Sequence, residues 1–246
     1  MKKPLVIALL ILLALAMLAA MAELPAVGQA DAPVHTHVSA RYIEQGEAET
    51  GAPNLVTAVL LNYRGMDTFG EVLVLFTALC AGFAVLLAAA RSGGNQGERQ
   101  PPPAGEGGTA MIAVSPVVSF VVRLLAPFIA LFAAYVILKG HLSPGGGFQG
   151  GMILGALFIA LTLVLGPRRS ARLLPVAWRP WLYALAPAAF LLVGVVGLLL
   201  TGYFLGYPQE PAWHGVREAM VVTLEIAIGV GGAVLVASLF LALEGD

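Results

Sequence analysis

Six apolar runs without a charged residue dominate the chain: Pro4–Ala22, Val72–Ala90, Leu124–Leu138, Leu142–Pro167, Pro180–Gln209 and Ile226–Leu243. None alternates polar and apolar positions with period two, so none reads as a half-buried strand. A bilayer core about 30 Å thick needs roughly 20 residues of helix to cross it. With ends extended past a flanking charge, the pattern predicts spanning helices near 4–22, 68–90, 116–138, 147–166, 181–203 and 218–242. In lipid, backbone N–H and C=O groups must be paired within the segment, which leaves helices as the form for runs this long. The predicted fold class is all-α, an integral membrane helical bundle of about six transmembrane helices.

The first run has two readings. Lys2 and Lys3, an apolar stretch, and the small residues Ala19, Ala20 and Ala22 have the layout of a secretory signal with its cleavage site. Leu5–Ala22 exceeds the roughly 7–15 residues of a signal's apolar core, which favours a retained anchor. Between the second and third spans, Ser92–Gly108 is rich in glycine, proline and polar residues, the composition of a linker. The expected organisation is a two-helix module at 1–91, a cytoplasmic linker at 92–111 and a four-helix module at 112–246.

Composition agrees with this class. Of 246 residues, 59% are hydrophobic and 11% charged, against about 25% charged in soluble domains. A net charge of −1 gives no basic patch for nucleic acid. Cys80 is the only cysteine and lies in an apolar run, so neither a disulfide framework nor an iron–sulfur or thiolate metal site is expected. With the N-terminus inside, one set of loops holds Lys2, Lys3, Arg91, Arg99, Arg168, Arg169, Arg172 and Arg179. The other holds Arg41, Arg64, Lys139 and Arg217. That asymmetry predicts both termini in the cytoplasm.

Three constellations carry candidate chemistry. The first is Asn54–Glu71, whose apolar stretch 55–61 is too short to span and reads as interfacial or re-entrant. Asp67 and Glu71, four apart, share a helix face, and Arg64 is placed to pair with Asp67. The segment reads either as an ordinary interfacial ion pair or as a proton or cation relay, because carboxylates entering a bilayer usually face a polar path. The second is Lys139–Gly151, in which Gly145, Gly146, Gly147, Gly150 and Gly151 permit a tight turn and close helix approach. Lys139 and His141 at a span end read either as groups that carry or gate protons or, for the lone histidine, as a side chain that caps or bonds the loop. The third is Glu225 inside the last span. An unpaired carboxylate there costs roughly 2.5–3.5 kcal/mol on the insertion scale, so it needs a partner, a proton or a wet cavity. Arg123 in the third span is the one cation near membrane depth that the sequence offers it, though the two depths agree only loosely and the alternative is that Arg123 snorkels to the cytoplasmic side. His35 and His37 read as surface residues of a polar outer loop.

The same residues resemble a known family. HLSPGGGFQGG (His141–Gly151) is similar to the signature of the B subunit of multisubunit Na+/H+ antiporters, the Mrp or Mnh family. LEIAIGV (Leu224–Val230) resembles that protein's last helix, with Glu225 on its acidic position. NLVTAVLLNYRGMDTFGE (Asn54–Glu71) resembles the C-terminal part of the antiporter's large A subunit, which in membrane-bound, energy-converting hydrogenases is a separate small E subunit. The likeness covers roughly 1–91 and 112–243, and joins on one chain two modules usually carried by different polypeptides.

The resemblance implies an accessory subunit in a plasma-membrane complex of antiporter-like proteins, with Na+ and H+ as transported ions and no cofactor or resident metal. Asp67, Glu71, Lys139, His141 and Glu225 become the candidate pathway residues. Two alternatives stand beside it: the membrane arm of a hydrogenase or related oxidoreductase, and a purely structural scaffold. No nucleophile–base pair points to a stand-alone enzyme.

Overall fold

The computed structural model describes residues 3–24, 26, 28–93, 115–170 and 172–243. They form, in order, α1 (Lys3–Ala22), α2 (Pro33–Thr36), α3 (Val38–Thr50), α4 (Leu55–Ala58), a π-helical turn (Val59–Tyr63) and α5 (Gly65–Gly93). These are followed by α6 (Pro116–Leu138), α7 (Gly147–Leu165), α8 (Pro167–Ser170), α9 (Arg179–Thr201) and α10 (His214–Leu243). Short 3-10 turns precede α9 and α10. Among the described residues there is no strand, and α1, α5, α6, α7, α9 and α10 are each long and apolar enough to cross a bilayer. The expected all-α bundle of six spans is what the chain forms. From residue 94 onward, the linker expected at 92–111 lies outside the described residues, as do Lys2 and Arg99.

The chain divides into two compact units, residues 1–44 and 45–246, with the division inside α3. In the first, α1 is a run of Leu, Ile, Val, Ala and Met with no polar face, as a helix surrounded by lipid requires. His35 and His37 are exposed. The pattern of apolar runs predicts a polar loop between the first span and Asn54, yet Val38–Thr50 is helical. Its run of Ala, Arg, Glu and Gln has high helix propensity, a signal that apolar-run counting does not register.

The second unit is built around α10, which packs on α7, α9, α5 and α6. Phe190 and Leu224 are fully buried where α9 meets α10, with Ala186, Ala189, Val193, Val221 and Ile228 around them. Phe69 of α5 stacks on Phe190 at 5.6 Å and joins the fifth helix to this core. The outer faces stay apolar: Val117, Phe120, Phe128 and Leu131 of α6 are all exposed, a surface suited to lipid or neighbouring subunits.

The α7–α10 contact is close because its residues are small. A Cβ on Gly151 would lie 2.6 Å from the Gly229 carbonyl oxygen, and one on Gly147 would overlap the Glu225 carbonyl. Backbone approach of this kind is how membrane helices gain packing without a hydrophobic driving force between them. It brings the start of α7 and the loop before it onto Glu225.

Candidate functional site

The site begins at Asn54. Its Oδ1 caps α4 by accepting from the Val56 N–H at 3.0 Å. Its Nδ2 donates to the carbonyls of Gly140 at 2.6 Å and Ser143 at 2.9 Å, and its own N–H donates to the His141 carbonyl at 3.1 Å. The glycine-rich loop is thereby clipped to the start of a helical turn far away in sequence. One turn on, the Thr57 hydroxyl lies 2.9 Å from the Gly140 carbonyl and 3.1 Å from Glu225 Oε1.

Glu225 is buried, with its side chain 2% exposed. Its second oxygen, Oε2, faces His141 Nδ1 at 3.6 Å, and the other imidazole nitrogen, Nε2, faces Glu218 Oε1 at 3.3 Å. The His141 side chain is 6% exposed and that of Glu218 46%. Two carboxylates seven apart on α10 therefore bracket one imidazole, and the three form a row from surface to interior. Gly140 makes room for it, since a Cβ there would meet Glu225 Oε1 at 2.5 Å.

Two hollows lie along the row, one against His141 and Glu218 and one against Glu225. Outside is a vestibule of about 260 Å³ lined by Glu47, His141, His214, Arg217 and Glu218 among others. Inside is a pocket of about 20 Å³ beside Thr57, Thr68, Gln149 and Glu225. The inner one has room for about one water, which needs roughly 10–15 Å³. Arg217 is buried at the vestibule wall, where its Nη1 donates to the Pro208 carbonyl at 3.4 Å. Near the same end of the bundle, Tyr207 is buried and donates to the Leu61 carbonyl at 2.8 Å, and burial raises its phenol pKa above the ordinary value of 10.0. No cluster of three or more His, Cys, Asp or Glu side chains suited to a metal occurs among the described residues.

Of the residues singled out in the sequence, His141, Glu225 and the glycines meet here. Arg64 and Asp67 do pair, at 2.6 Å, but both are exposed and the pair stands apart from this row. Glu71 and Lys139 are exposed, without a side-chain partner among the described residues. Arg123, offered as the counter-ion of Glu225, is exposed on α6 and gives way to Thr57 and His141. Asn54, Thr57 and Glu218 were not singled out. Glu218 had a readable signal, since a seven-residue spacing from Glu225 puts both on one helix face. The hydroxyl and amide had none.

Comparison with known proteins matches residues 117–240, half of the chain, to a domain related to the MnhB subunit of Na+/H+ antiporters. Residues 6–93 match the E subunit of MBH. A chain in the structure of the membrane-bound sulfane sulfur reductase, an archaeal respiratory membrane complex, is 30% identical, with TM-score 0.57. The match covers 95% of this chain and 97% of that one. A probable A/B subunit of a K+/H+ antiporter from Rhizobium meliloti is 26% identical over 72% of this chain, which spans 18% of that protein. The B subunit of the Na+/H+ antiporter of Bacillus subtilis is 34% identical over 43% of this chain and 76% of its own length.

Proposed function

This chain belongs to the family of domains related to the MnhB subunit of Na+/H+ antiporters, fused to a module like the E subunit of MBH, and we propose that it is an accessory membrane subunit of a multisubunit cation/proton antiporter. In this reading it sits in the cell membrane with both termini cytoplasmic, the orientation its Lys and Arg asymmetry favours. Glu218 and the vestibule then face outward.

The observation that carries the proposal is the row Glu218–His141–Glu225. An imidazole accepts a proton on one nitrogen and releases one from the other, so it can pass protons between groups on its two edges. Both gaps exceed a hydrogen bond by only a few tenths of an ångström, and small side-chain rotations close them. A proton entering at Glu218 moves to His141 Nε2, while the proton on Nδ1 passes to Glu225. Thr57 serves both states of that carboxylate. When Glu225 is ionised, the hydroxyl donates to Oε1; when Glu225 is protonated, the hydroxyl accepts from it and donates to Gly140.

The row enters the protein but does not cross it. Glu225 is the one buried carboxylate among the described residues, so neighbouring subunits supply the rest of the path. Partners also explain Glu71 and the exposed Arg64–Asp67 pair, ionisable groups at a span start that would be costly against lipid alone. The test is cation-dependent proton exchange by the complex in inverted vesicles, compared with the same complex carrying Glu225→Gln. Lost exchange with intact assembly is expected; normal exchange by the assembled variant would reduce this chain to a scaffold.

A second reading has its own observation. The likeness to the respiratory-complex chain runs over nearly all of both chains, whereas the chain spans less than a fifth of the K+/H+ antiporter protein. The same ion path would then be driven by electron transfer in other subunits. Purification of the intact complex separates the two: iron–sulfur proteins in it favour the redox-driven form, and their absence from an exchange-active complex favours the antiporter.

A further inference from the structure

At the opposite end of the bundle from His141 lies another cavity, of about 250 Å³. Its walls are the C-terminal halves of α7 (Leu157, Phe158, Leu161) and α10 (Ala233, Val234, Ala237), and Leu173 and Leu174 line it from the loop after α8. It is larger than an engineered apolar cavity of about 150 Å³ that stays dry and takes up benzene. Side chains of this kind offer nothing to water or an ion, so an occupant must be apolar where it enters.

The loop that supplies Leu173 and Leu174 is strongly basic. Residues 166–181 include Arg168, Arg169, Arg172 and Arg179 and no acidic residue. Successive turns fold it: the Arg172 N–H donates to the Arg169 carbonyl at 3.2 Å, and the Leu173 N–H to that of Ser170 at 2.9 Å. Arg169 and Arg172 are exposed, and neither has an ion-pair partner among the described residues. Arg179 folds back so that its Nε donates to the carbonyl of Leu174, itself a wall of the cavity, at 3.3 Å. Trp178 and Trp181, 63% and 76% exposed, mark this loop as lying at headgroup level.

An apolar slot walled by a loop that also carries Arg169, Arg172 and Arg179, at the depth of the lipid headgroups, has the chemistry of one ligand. We propose that this site binds an anionic phospholipid, with an acyl chain in the α7–α10 cavity and its phosphate held by Arg169, Arg172 and Arg179. Basic pockets at helix ends select acidic headgroups in this way, and guanidinium forks match phosphate oxygens. The lipid would also fill the seam between α7 and α10, the helices that position Gly147 and Glu225. The inference needs only the membrane location of the chain and is independent of the proton path.

The test uses the full chain, purified from membranes with whatever proteins accompany it, and titrated in detergent with phosphatidylglycerol or phosphatidylcholine of identical chains. Bound lipid is counted by native mass spectrometry. A phosphatidylglycerol with a photoreactive acyl chain locates the site. The expected result is preferential retention of phosphatidylglycerol and labelling within 154–161 or 233–237. Arg169→Gln/Arg172→Gln, on exposed residues, should weaken phosphatidylglycerol about fivefold per arginine and leave phosphatidylcholine unchanged. Leu161→Trp, which fills the cavity, should weaken both lipids. Inorganic phosphate should not displace the lipid. Equal retention of the two lipids, full displacement by phosphate, or labelling that maps elsewhere would overturn the proposal, as would a co-purifying protein cross-linked to Leu173.

Discussion

His141 Nδ1 stands 3.6 Å from Glu225 Oε2, which couples the glycine-rich loop to the centre of the last span. The His141 backbone also hydrogen-bonds the Glu225 carboxylate. The loop is anchored by Asn54 and Thr57 through the Gly140 carbonyl, and α10 is anchored by its packing on α7 and α9. The pair is thus set by a three-way junction of α4, the loop and α10. Asn54 and Thr57 come from the E-like module, while His141 and Glu225 come from the B-like one. The B-like module thus holds the whole row, and the E-like module supplies the side chains that anchor it.

If protons pass along this row, its members act as one unit. Glu225→Gln and His141→Ala should each lower cation-dependent proton exchange by about 100-fold, the scale for losing a positioned proton-transfer group. The double variant should be no slower than the worse single one. Stopped-flow or dye-based exchange in proteoliposomes measures all three. Independent, multiplying losses would mean that the two residues serve different steps.

Thr57 separates polar supply from shape. Thr57→Val keeps the volume but removes the hydroxyl that faces both Gly140 and Glu225 Oε1. The carboxylate loses its side-chain hydrogen bond and keeps the one from the His141 backbone, a cost of about 1.5–3 kcal/mol for a lost bond to a charged group. Slowed exchange and a lowered Tm are expected, with Thr57→Ser restoring both. A wild-type exchange rate in Thr57→Val would remove the hydroxyl from the pathway.

The spans and the all-α class were legible because bilayer physics writes them as long apolar runs with few charges; the likeness to two families rested instead on the motifs at Asn54–Glu71, His141–Gly151 and Leu224–Val230. Glu225 was legible for the related reason that a carboxylate inside such a run needs an explanation. Its partners were not. Thr57 lies in a short apolar stretch, and hydroxyls are common there; only the π-helical turn after it and the clip by Asn54 reveal its direction. His141 was visible as a residue but not as the bridge between two carboxylates. That role depends on the backbone approach at Gly140 and Gly147, a feature of packing. Arg123 shows the reverse: charge complementarity in sequence overestimates pairing when depth and helix face are unknown.

Close approach can be tested without touching a titratable group. Gly147→Ala puts a methyl against the Glu225 carbonyl and the Ile228 side chain. Overpacking of this kind costs about 1–3 kcal/mol. The variant should assemble less well or melt earlier, whereas Gly215→Ala, with open space around it, should behave as wild type. Equal thermal stability of the two variants in detergent would show that α7 and α10 part easily at this point.

Tyr207 gives a pH-dependent prediction at the loop before α10. Its phenol is buried against the Leu61 carbonyl, and burial raises its pKa above 10.0 by penalising the phenolate. The folded chain therefore holds this proton more tightly than the unfolded chain. The resulting stabilisation is complete below the unfolded value of 10.0 and is lost as pH rises from there towards the folded value. Tyr207→Phe removes the hydrogen bond to the Leu61 carbonyl and should cost about 0.5–1.5 kcal/mol at neutral pH. Above about pH 10 the wild type alone weakens through this residue, by about 1.4 kcal/mol per pH unit, so the gap between the two proteins should close. Thermal unfolding between about pH 8 and pH 11 reads it, with Tyr203→Phe, on an exposed side chain, as the control. A gap that stays constant across this range would mean that the Tyr207 phenol ionises alike in both states.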